Sequence, residues 1–314
     1  ASLYYKLNQS QSEIAARLSI SPSTVSRLIK EARDKGIVEI KIKMPIPRDF
    51  ELEQIFIDKF GLKDAYILQT TADHDRSSLL GAIGQLAATY IKRIVETFPP
   101  GSSIGVAWGT GVHAAVTALP DHTAQNIDVV QLIGGVGARV VDSPDLVRVI
   151  AQKLGGRPYD LHVPALVELA STREVLMQEP AVREGIVRAQ AVKLAITGIG
   201  SLQDDYFSFL RAGLLSRSSI GDLRGEGVVG EMCGHFFDVQ GRYEPFEINQ
   251  RILGLELQDL RRITFSIAVA HGHQKALAIL GALRGQFCKV LATDDSTARM
   301  ILSAADQEII PALG

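Results

Sequence analysis

The chain has 314 residues, 46% of them hydrophobic and 6% aromatic, with a formal net charge of −2. That length exceeds one ordinary domain, and no apolar run approaches the roughly 20 residues of a membrane helix. The two cysteines, Cys233 and Cys288, are too few and too far apart for a disulfide framework. With no signal-peptide pattern at the start, these features predict a cytoplasmic protein with an aliphatic core. Charge is unevenly placed: nine Lys/Arg against four Asp/Glu give residues 1–48 a net +5 and leave −7 for the remainder. A basic head on an acidic body fits a polyanion partner at one end only, and ordinary charge scatter is the alternative reading.

Residues 1–7 read as the end of a helix, with an earlier part expected upstream, packed on the element that follows. That element, residues 11–30, has the spacing of two short helices crossing around a tight turn. Ile14, Ala15 and Leu18 form the inward stripe of the first helix, Ile20 plugs the turn, and Val25, Leu28 and Ile29 supply the matching face of the second. Ser21 is a suitable N-cap, and Pro22 fits the first helical position, where its missing N–H costs nothing. Ser23, Thr24, Ser26, Arg27 and Lys30 face outward, as hydroxyls and cations that reach base edges and phosphates in a major groove. Gln11 and Ser21, at the two helix starts, complete the expected DNA-contacting set. Asp34-Lys-Gly36 ends the second helix, and alternating apolar and polar residues over 37–44 predict a strand, a candidate wing. Pro45 and Pro47 mark a boundary, and residues 50–60 form an amphipathic helix closed by Gly61. The expected organisation is a helix-turn-helix head over 1–46, a linker helix over 47–61 and a larger domain over 62–314.

From residue 62 onward, apolar β-rich runs alternate with helical patterns. Strands are predicted at 65–69, 103–107, 128–133, 161–163, 193–197, 265–270 and 289–293. Such alternation implies right-handed crossovers and a mainly parallel sheet with helices on both faces, so the fold class is α/β: a small winged helix-turn-helix head and a Rossmann-like domain. Small or capping residues follow several strand ends, in Trp108-Gly-Thr-Gly111, Gly134-Gly135, Gly198-Ile-Gly200 and Thr293-Asp-Asp295. In open parallel sheets the ligand crevice lies beyond the carboxyl ends of the strands, which would gather these loops around one site. Residues 225–241 break the alternation and read as an inserted ribbon or lid.

Residues 104–112 run from a strand through a glycine-rich turn toward a helix predicted at 112–119. Amide N–H groups in that turn, the positive helix end and the Thr110 hydroxyl can form an anion cradle. A close-packed turn without a ligand is the other reading, and Gly134-Gly135 carries the same two. A dinucleotide fingerprint, with three spaced glycines and an acid about 20 residues on, is missing, so no nicotinamide cofactor is expected. Lys275 follows the strand at 265–270 at a helix start, where a lysine either holds a phosphate as a point charge or is simply solvated. His235, His271 and His273 have no Cys or carboxylate at a familiar ligand spacing, so no metal is expected. Glu231 and Asp238 flank Cys233 and can bind sugar hydroxyls, act as acid and base, or stand as solvated loop carboxylates.

Taken together these pieces resemble the SorC/DeoR-type sugar-binding transcriptional regulators, over essentially the whole chain. The residues concerned are Gln11 to Lys35 at the head, Ile104-Gly-Val-Ala-Trp-Gly-Thr-Gly111, Val130-Gln-Leu-Ile-Gly-Gly135, the stretch from Gly230 to Gly241, Ala268-Val-Ala-His-Gly-His-Gln-Lys-Ala-Leu-Ala-Ile279 and Leu291-Ala-Thr-Asp-Asp295. The resemblance implies a large domain like the sugar-phosphate isomerases and deaminases of the ribose-5-phosphate isomerase and glucosamine-6-phosphate deaminase fold, acting as a sensor without catalytic duty. It implies that Gly109, Thr110 and Gly111 are the phosphate turn, that Lys275 neutralises the phosphate, and that Gln131 and Glu231 contact sugar hydroxyls. Gly134, Gly135 and Asp238 complete the expected effector set. Three positions depart from the family pattern: His271-Gly272 stands where two glycines are common, Glu231 where aspartate is frequent, and Ser19 where many helix-turn-helix turns have glycine.

The expected function is a transcriptional regulator of a carbohydrate operon that binds double-stranded operator DNA as a homo-oligomer, a dimer or tetramer, and whose affinity is set by a sugar or sugar phosphate. No membrane partner is expected. Two alternatives are an active sugar-phosphate isomerase or deaminase with a DNA-binding head, and a redox or metal sensor acting through His271, His273 and the cysteines.

Overall fold

The computed structural model describes residues 1–38, 46–70, 76–121, 125–135, 143–203 and 207–307, with the backbone alone at 76–77 and 143–145. The chain divides into two units, Ala1–Pro45 and Ile46–Gly314.

In the first unit, α1 (Ser2–Tyr5) precedes α2 (Gln11–Leu18) and α3 (Pro22–Asp34). A reciprocal cap starts α2: Ser10 Oγ accepts from Glu13 N, while Glu13 Oε2 accepts from Ser10 N at 2.7 Å. The helix ends at Ser19, whose φ of 53° is left-handed. Serine therefore adopts there the conformation that glycine takes without steric penalty. Ser21 caps α3 by accepting from Thr24 N at 3.1 Å, with Pro22 in the first turn. Ile14, Ala15, Val25 and Ile29 form the buried cluster, flanked by Leu3, Tyr4, Tyr5 and Ile20. The expectation for Leu18 and Leu28 needs correction, since they are 51% and 46% exposed. Two short helices bury one narrow stripe, and these two leucines stand at its margins. The candidate wing at 37–44 lies almost entirely outside the described residues.

In the second unit, α4 (Phe50–Phe60) starts at Asp49, which accepts from Leu52 N, and stops at Gly61 with φ 66°. There follow β1 (Asp64–Leu68), α5 (Arg76–Val95), β2 (Ser103–Val106), α6 (Thr110–Ala118), β3 (Ile127–Gln131), α7 (Ser143–Leu154) and β4 (Gly155–Tyr159). Next come α8 (Ala170–Gln178), α9 (Pro180–Gln190), β5 (Leu194–Gly198), β6 (Gly200–Ser201), α10 (Ser208–Arg211), α11 (Arg217–Gly225), β7 (Val228–Met232) and β8 (His235–Asp238). A 3-10 turn at Glu247–Arg251, α12 (Leu257–Arg262), β9 (Phe265–Val269), a second 3-10 turn at His273–Lys275, α13 (Ala276–Arg284), β10 (Val290–Asp294) and α14 (Asp295–Asp306) complete it.

Seven strands form one parallel sheet in the order β1-β10-β9-β5-β2-β3-β4. Both faces are covered, which is why the strands read as nearly continuous apolar runs. Tyr66, Leu68, Ile104, Val106, Leu194 and Ile196 pack under α5, α6 and α7, while Ala65, Ile67, Val130, Ala195, Ala268 and Leu291 pack toward α4, α12 and α14. The ribbon expected at 225–241 is the β7–β8 hairpin, which with β6 makes a small antiparallel sheet. One expected strand is misplaced: residues 161–163 are irregular, and β4 lies at Gly155–Tyr159. This edge strand has little apolar content, and Gly156 passes so close to Ile127 that a Cβ would fall 1.8 Å from its carbonyl oxygen. No pattern search for β-branched residues would find it.

Residues 46–49, expected to close the head at 46 and open the linker at 47, are part of the larger unit. They run antiparallel along the outer edge of β1: Asp49 N donates to Ile67 O, Gln69 N donates to Pro47 O, and Arg48 bridges Leu68. Arg48 forks onto Glu53, with both N–O distances 2.7 Å, and its guanidinium lies 4.3 Å over the Tyr66 ring. Glu53 is buried and also accepts from Ile67 N at 2.8 Å. Leu52 and Phe56 of α4 enter the main core. Removing one partner of a buried pair leaves the other uncompensated. Glu53→Ala is therefore expected to lower the stability of the larger unit by about 3 kcal/mol, followed in urea through the fluorescence of Trp108, the single tryptophan of the chain. A loss well under about 1 kcal/mol would show that the pair behaves as a surface ion pair.

Candidate functional site

The strand order reverses beside β2, which pairs with β3 on one side and with β5 on the other. Chain leaving β2 and chain leaving β5 therefore diverge to opposite faces and open a crevice above the carboxyl ends. Gly109, at φ 137°, turns the chain from β2 into α6. No side chain caps α6, and the N–H groups of Thr110, Gly111 and Val112 head its open first turn. Gly111 is needed for packing, since a Cβ there would lie 2.4 Å from Val269 O. That close approach seats the positive end of α6 at the strand ends, and Gly198 fills the space between Trp108, Val112 and Val269.

Lys275 extends from the second 3-10 turn and donates from Nζ to Ile199 O at 2.8 Å. One residue further, Gly200 pairs with Glu231 of β7, and a Cβ on Gly200 would lie 2.2 Å from Glu231 Oε1. Lys275 and Glu231 thus meet at the Ile199-Gly200 step. The turn carrying Lys275 is held by α14: Asp294 accepts from Thr297 N at 2.9 Å and from Thr297 Oγ1 at 2.6 Å, and Thr297 Oγ1 in turn accepts from Gly272 N at 2.8 Å. Burial pushes the Asp294 carboxyl up, but the hydrogen bonds of Ser296 and Thr297 outweigh it and leave the group below its usual range.

Glu231 is in a different condition. Burial raises it to about 7, only partly offset by the Gly234 N–H at 3.0 Å and the charges of Lys275 and His235. The hairpin loop that supplies this N–H is Cys233-Gly234, both at positive φ (49° and 79°), as in the primed turns that suit the twist of paired strands. His235 is fully buried, with Nδ1 3.2 Å from Cys233 O and Nε2 3.1 Å from Glu256 Oε2. Glu256 also pairs with Arg173 of α8, which donates to Ile252 O. Burial acts to raise Glu256, and the contacts with His235 and Arg173 outweigh it. A polar chain therefore runs from α8 through Glu256 and His235 to the turn that positions Glu231.

The 198–200 segment borders the turn at 108–112 through Gly198, Lys275 through Ile199 O, and Glu231 through Gly200. The other expected effector residues stand elsewhere or are engaged. Gln131 is buried, accepting from Leu161 N at 3.0 Å and donating to Ile133 O at 2.6 Å. The amides of Gly134 and Gly135 donate to Leu253 O and Val163 O, so neither glycine offers an anion cradle. Asp238 lies at the far end of the hairpin, where Oδ1 accepts from Gln240 N and Arg242 N and Oδ2 accepts from Arg242 Nε. Sequence reasoning passed over Trp108 and Glu256. The buried Trp108 Nε1 has no hydrogen-bond partner among the described residues, although the motif containing it was visible. Glu256 carries no local signal, since its partners come from β8 and α8.

In the head, Ser23, Ser26, Arg27 and Lys30 are exposed on α3, and Gln11 stands at the first turn of α2. The hydroxyl of Ser21 is engaged with Thr24 N and lies 2.8 Å from those of Ser23 and Thr24. Among the described residues no group of three or more His, Cys, Asp or Glu side chains could hold a metal ion. Cys233 and Cys288 are separate buried thiols, and burial pushes Cys288 up to about 12.

A DNA-binding head joined to a domain with a strand-end crevice defines a ligand-responsive DNA-binding regulator, and comparison with known proteins agrees. Residues 8–39 match the winged helix-turn-helix DNA-binding model, and residues 44–303 match the family described as "Putative sugar-binding domain". The deoxyribonucleoside regulator of Bacillus subtilis is 31% identical over 305 residues, covering 96% of both chains. The sorbitol operon regulator of Klebsiella pneumoniae is 30% identical over 321 residues, again with 96% of each chain covered. The crystal structure of full-length SorC from Klebsiella pneumoniae superposes with a TM-score of 0.80 at 30% identity, over 96% of both chains. The chain belongs to the SorC/DeoR-type sugar-binding transcriptional regulators.

The Glu231 environment has a pH signature. Between about pH 4.5 and 7 the folded chain retains a proton on Glu231 that the unfolded chain has released. Its contribution to stability is therefore fully present below about 4.5 and lost as pH rises through about 7. Melting temperatures taken across this window are expected to fall more steeply for the natural protein than for Glu231→Gln; parallel curves would mean that Glu231 is ionised throughout.

Proposed function

We propose that this chain represses or activates a carbohydrate operon through the exposed face of α3, and that a phosphorylated sugar bound at the β2–β5 crevice sets its DNA affinity. The observation that carries this reading is the open first turn of α6 together with Lys275 and one buried carboxylate, Glu231. A helix start and an ammonium group favour an anion, and a carboxyl with spare acceptor capacity favours hydroxyls. The sorbitol and deoxyribonucleoside regulators give the same direction by their names.

The crevice serves as a sensor rather than an active site, a reading supported by the relatives it matches, which are named as regulators. Turnover of ribose-5-phosphate or glucosamine-6-phosphate by purified protein would reverse this. A single head makes few base contacts, so binding by a dimer or tetramer, in the cytoplasm, supplies the remaining affinity through tethering. The segment 45–60, fixed to β1 through Arg48 and Glu53, transmits the change, and a coupling of about 1–3 kcal/mol alters DNA affinity roughly 5- to 150-fold. Replacing residues 45–49 with a flexible linker should abolish ligand-dependent release.

A thermal-shift screen against paired phosphorylated and free sugars tests the ligand class, since a ligand of the folded state raises its stability by mass action. One phosphosugar is expected to stabilise where its free partner does not, and a flat screen would overturn the phosphate assignment. With that ligand in hand, Lys275→Ala is expected to lose the response while keeping DNA binding. Arg27→Ala should weaken operator binding by about 1–3 kcal/mol with ligand binding intact, measured by fluorescence anisotropy at several salt concentrations. Equal damage to both activities would undo the division of labour.

A further inference from the structure

A cavity lies beside the turn that carries Lys275. It has a volume of about 680 Å³ and is bounded by β6, β7, the first turn of α13 and α14. That is within the range of small-molecule sites. Its apolar wall includes Leu202, Val228, Leu277 and Met300, the last two partly exposed. Ser201 also lines it: this residue is 2% exposed, and its Oγ has no hydrogen-bond partner among the described residues. A buried hydroxyl without a partner is costly and calls for an explanation. Arg299 contributes a guanidinium group, Arg224 lines the wall with its own guanidinium engaged in donating to Leu202 O, and none of the described lining residues is acidic. Arg299 touches Asp49 through one nitrogen at 3.2 Å, and its side chain remains 65% exposed.

We propose that this cavity is a second ligand site, distinct from the sugar crevice, for a small amphipathic anion: an aliphatic body of medium length ending in one carboxylate. The apolar wall takes the aliphatic body. The Arg299 guanidinium matches the planar carboxylate, and the Ser201 hydroxyl supplies a further hydrogen bond. Because His273 and Gln274 form part of the wall, the ligand bears on the same 3-10 turn that presents Lys275.

Octanoate is a suitable probe, with octan-1-ol as its uncharged match, tested on the full chain by calorimetry and thermal shift. Octanoate is expected to bind and stabilise, octan-1-ol to do so much more weakly, and the phosphosugar not to displace it. Arg299→Gln should weaken octanoate about tenfold, the scale of one charge-assisted hydrogen bond. Ser303→Trp, which fills the cavity from an exposed position on α14, should abolish octanoate binding while the melting temperature of the unliganded protein is kept. Equal binding of octanol, no binding of octanoate, or octanoate binding untouched by Ser303→Trp would each overturn the proposal. Two further outcomes would also overturn it by assigning the cavity to another occupant. If only a chain ending at Gln307 binds octanoate, the occupant is residues 308–314. If Ser303→Trp changes the oligomeric state without affecting octanoate binding, the occupant is a second copy.

Discussion

The reversal of strand order beside β2 is the constraint on which the larger unit depends. Once β2 pairs with both β3 and β5, the chain segments leaving β2 and β5 cannot pack over one another, and the space between them must be filled by backbone or left to a ligand. Backbone fills most of it. Gly111 lies against Val269 and Gly200 against Glu231, at separations where a methyl group would collide. What remains open is bordered by a helix start, an ammonium and one carboxyl. The proposed recognition chemistry is thus a by-product of how a seven-stranded parallel sheet closes its middle.

The carboxylates show how one residue type serves different ends. Glu53 takes two bonds from Arg48 and one from a backbone amide, Asp238 takes three donors from its own turn, and Asp294 takes three from the start of α14. These are filled acceptors that hold the chain in shape. Glu231 is equally buried, and the hydrogen bond it accepts among the described residues comes from Gly234 N. Its raised protonation range follows from burial, which that hydrogen bond and the nearby charges of Lys275 and His235 offset only in part.

Much of this architecture was legible in the order of residues, and the failures have physical causes. The central strands announce themselves because both faces are buried, whereas β4, at the edge and partly exposed, has a composition indistinguishable from a loop. Ser21-Pro22 and Gly61 mark helix ends because capping is local chemistry. Glycines reveal where the backbone is tight but not why: Gly109 turns the chain toward α6, while Gly134 lies tight against the 163–165 segment and Gly135 pairs with it. Asp238 and Gln131 are polar residues in a promising neighbourhood whose partners, set by folding, leave them engaged. The link from Arg173 through Glu256 to His235 joins residues far apart in sequence, and no spacing rule reaches it.

The strip of chain at 46–49 along β1 has a practical meaning for anyone dissecting this protein. Parallel sheets have two edges, and an open edge recruits foreign strands. Here Pro158 interrupts the donor row on β4, and the 46–49 strip shields β1. A ligand-binding fragment cut at Phe50 would keep every strand and every crevice residue, yet it would bare the Ile67 and Gln69 backbone groups and leave Glu53 without its arginine. The natural scissor point is therefore ahead of Ile46, and fragments trimmed further should come out of solution before they fail to bind.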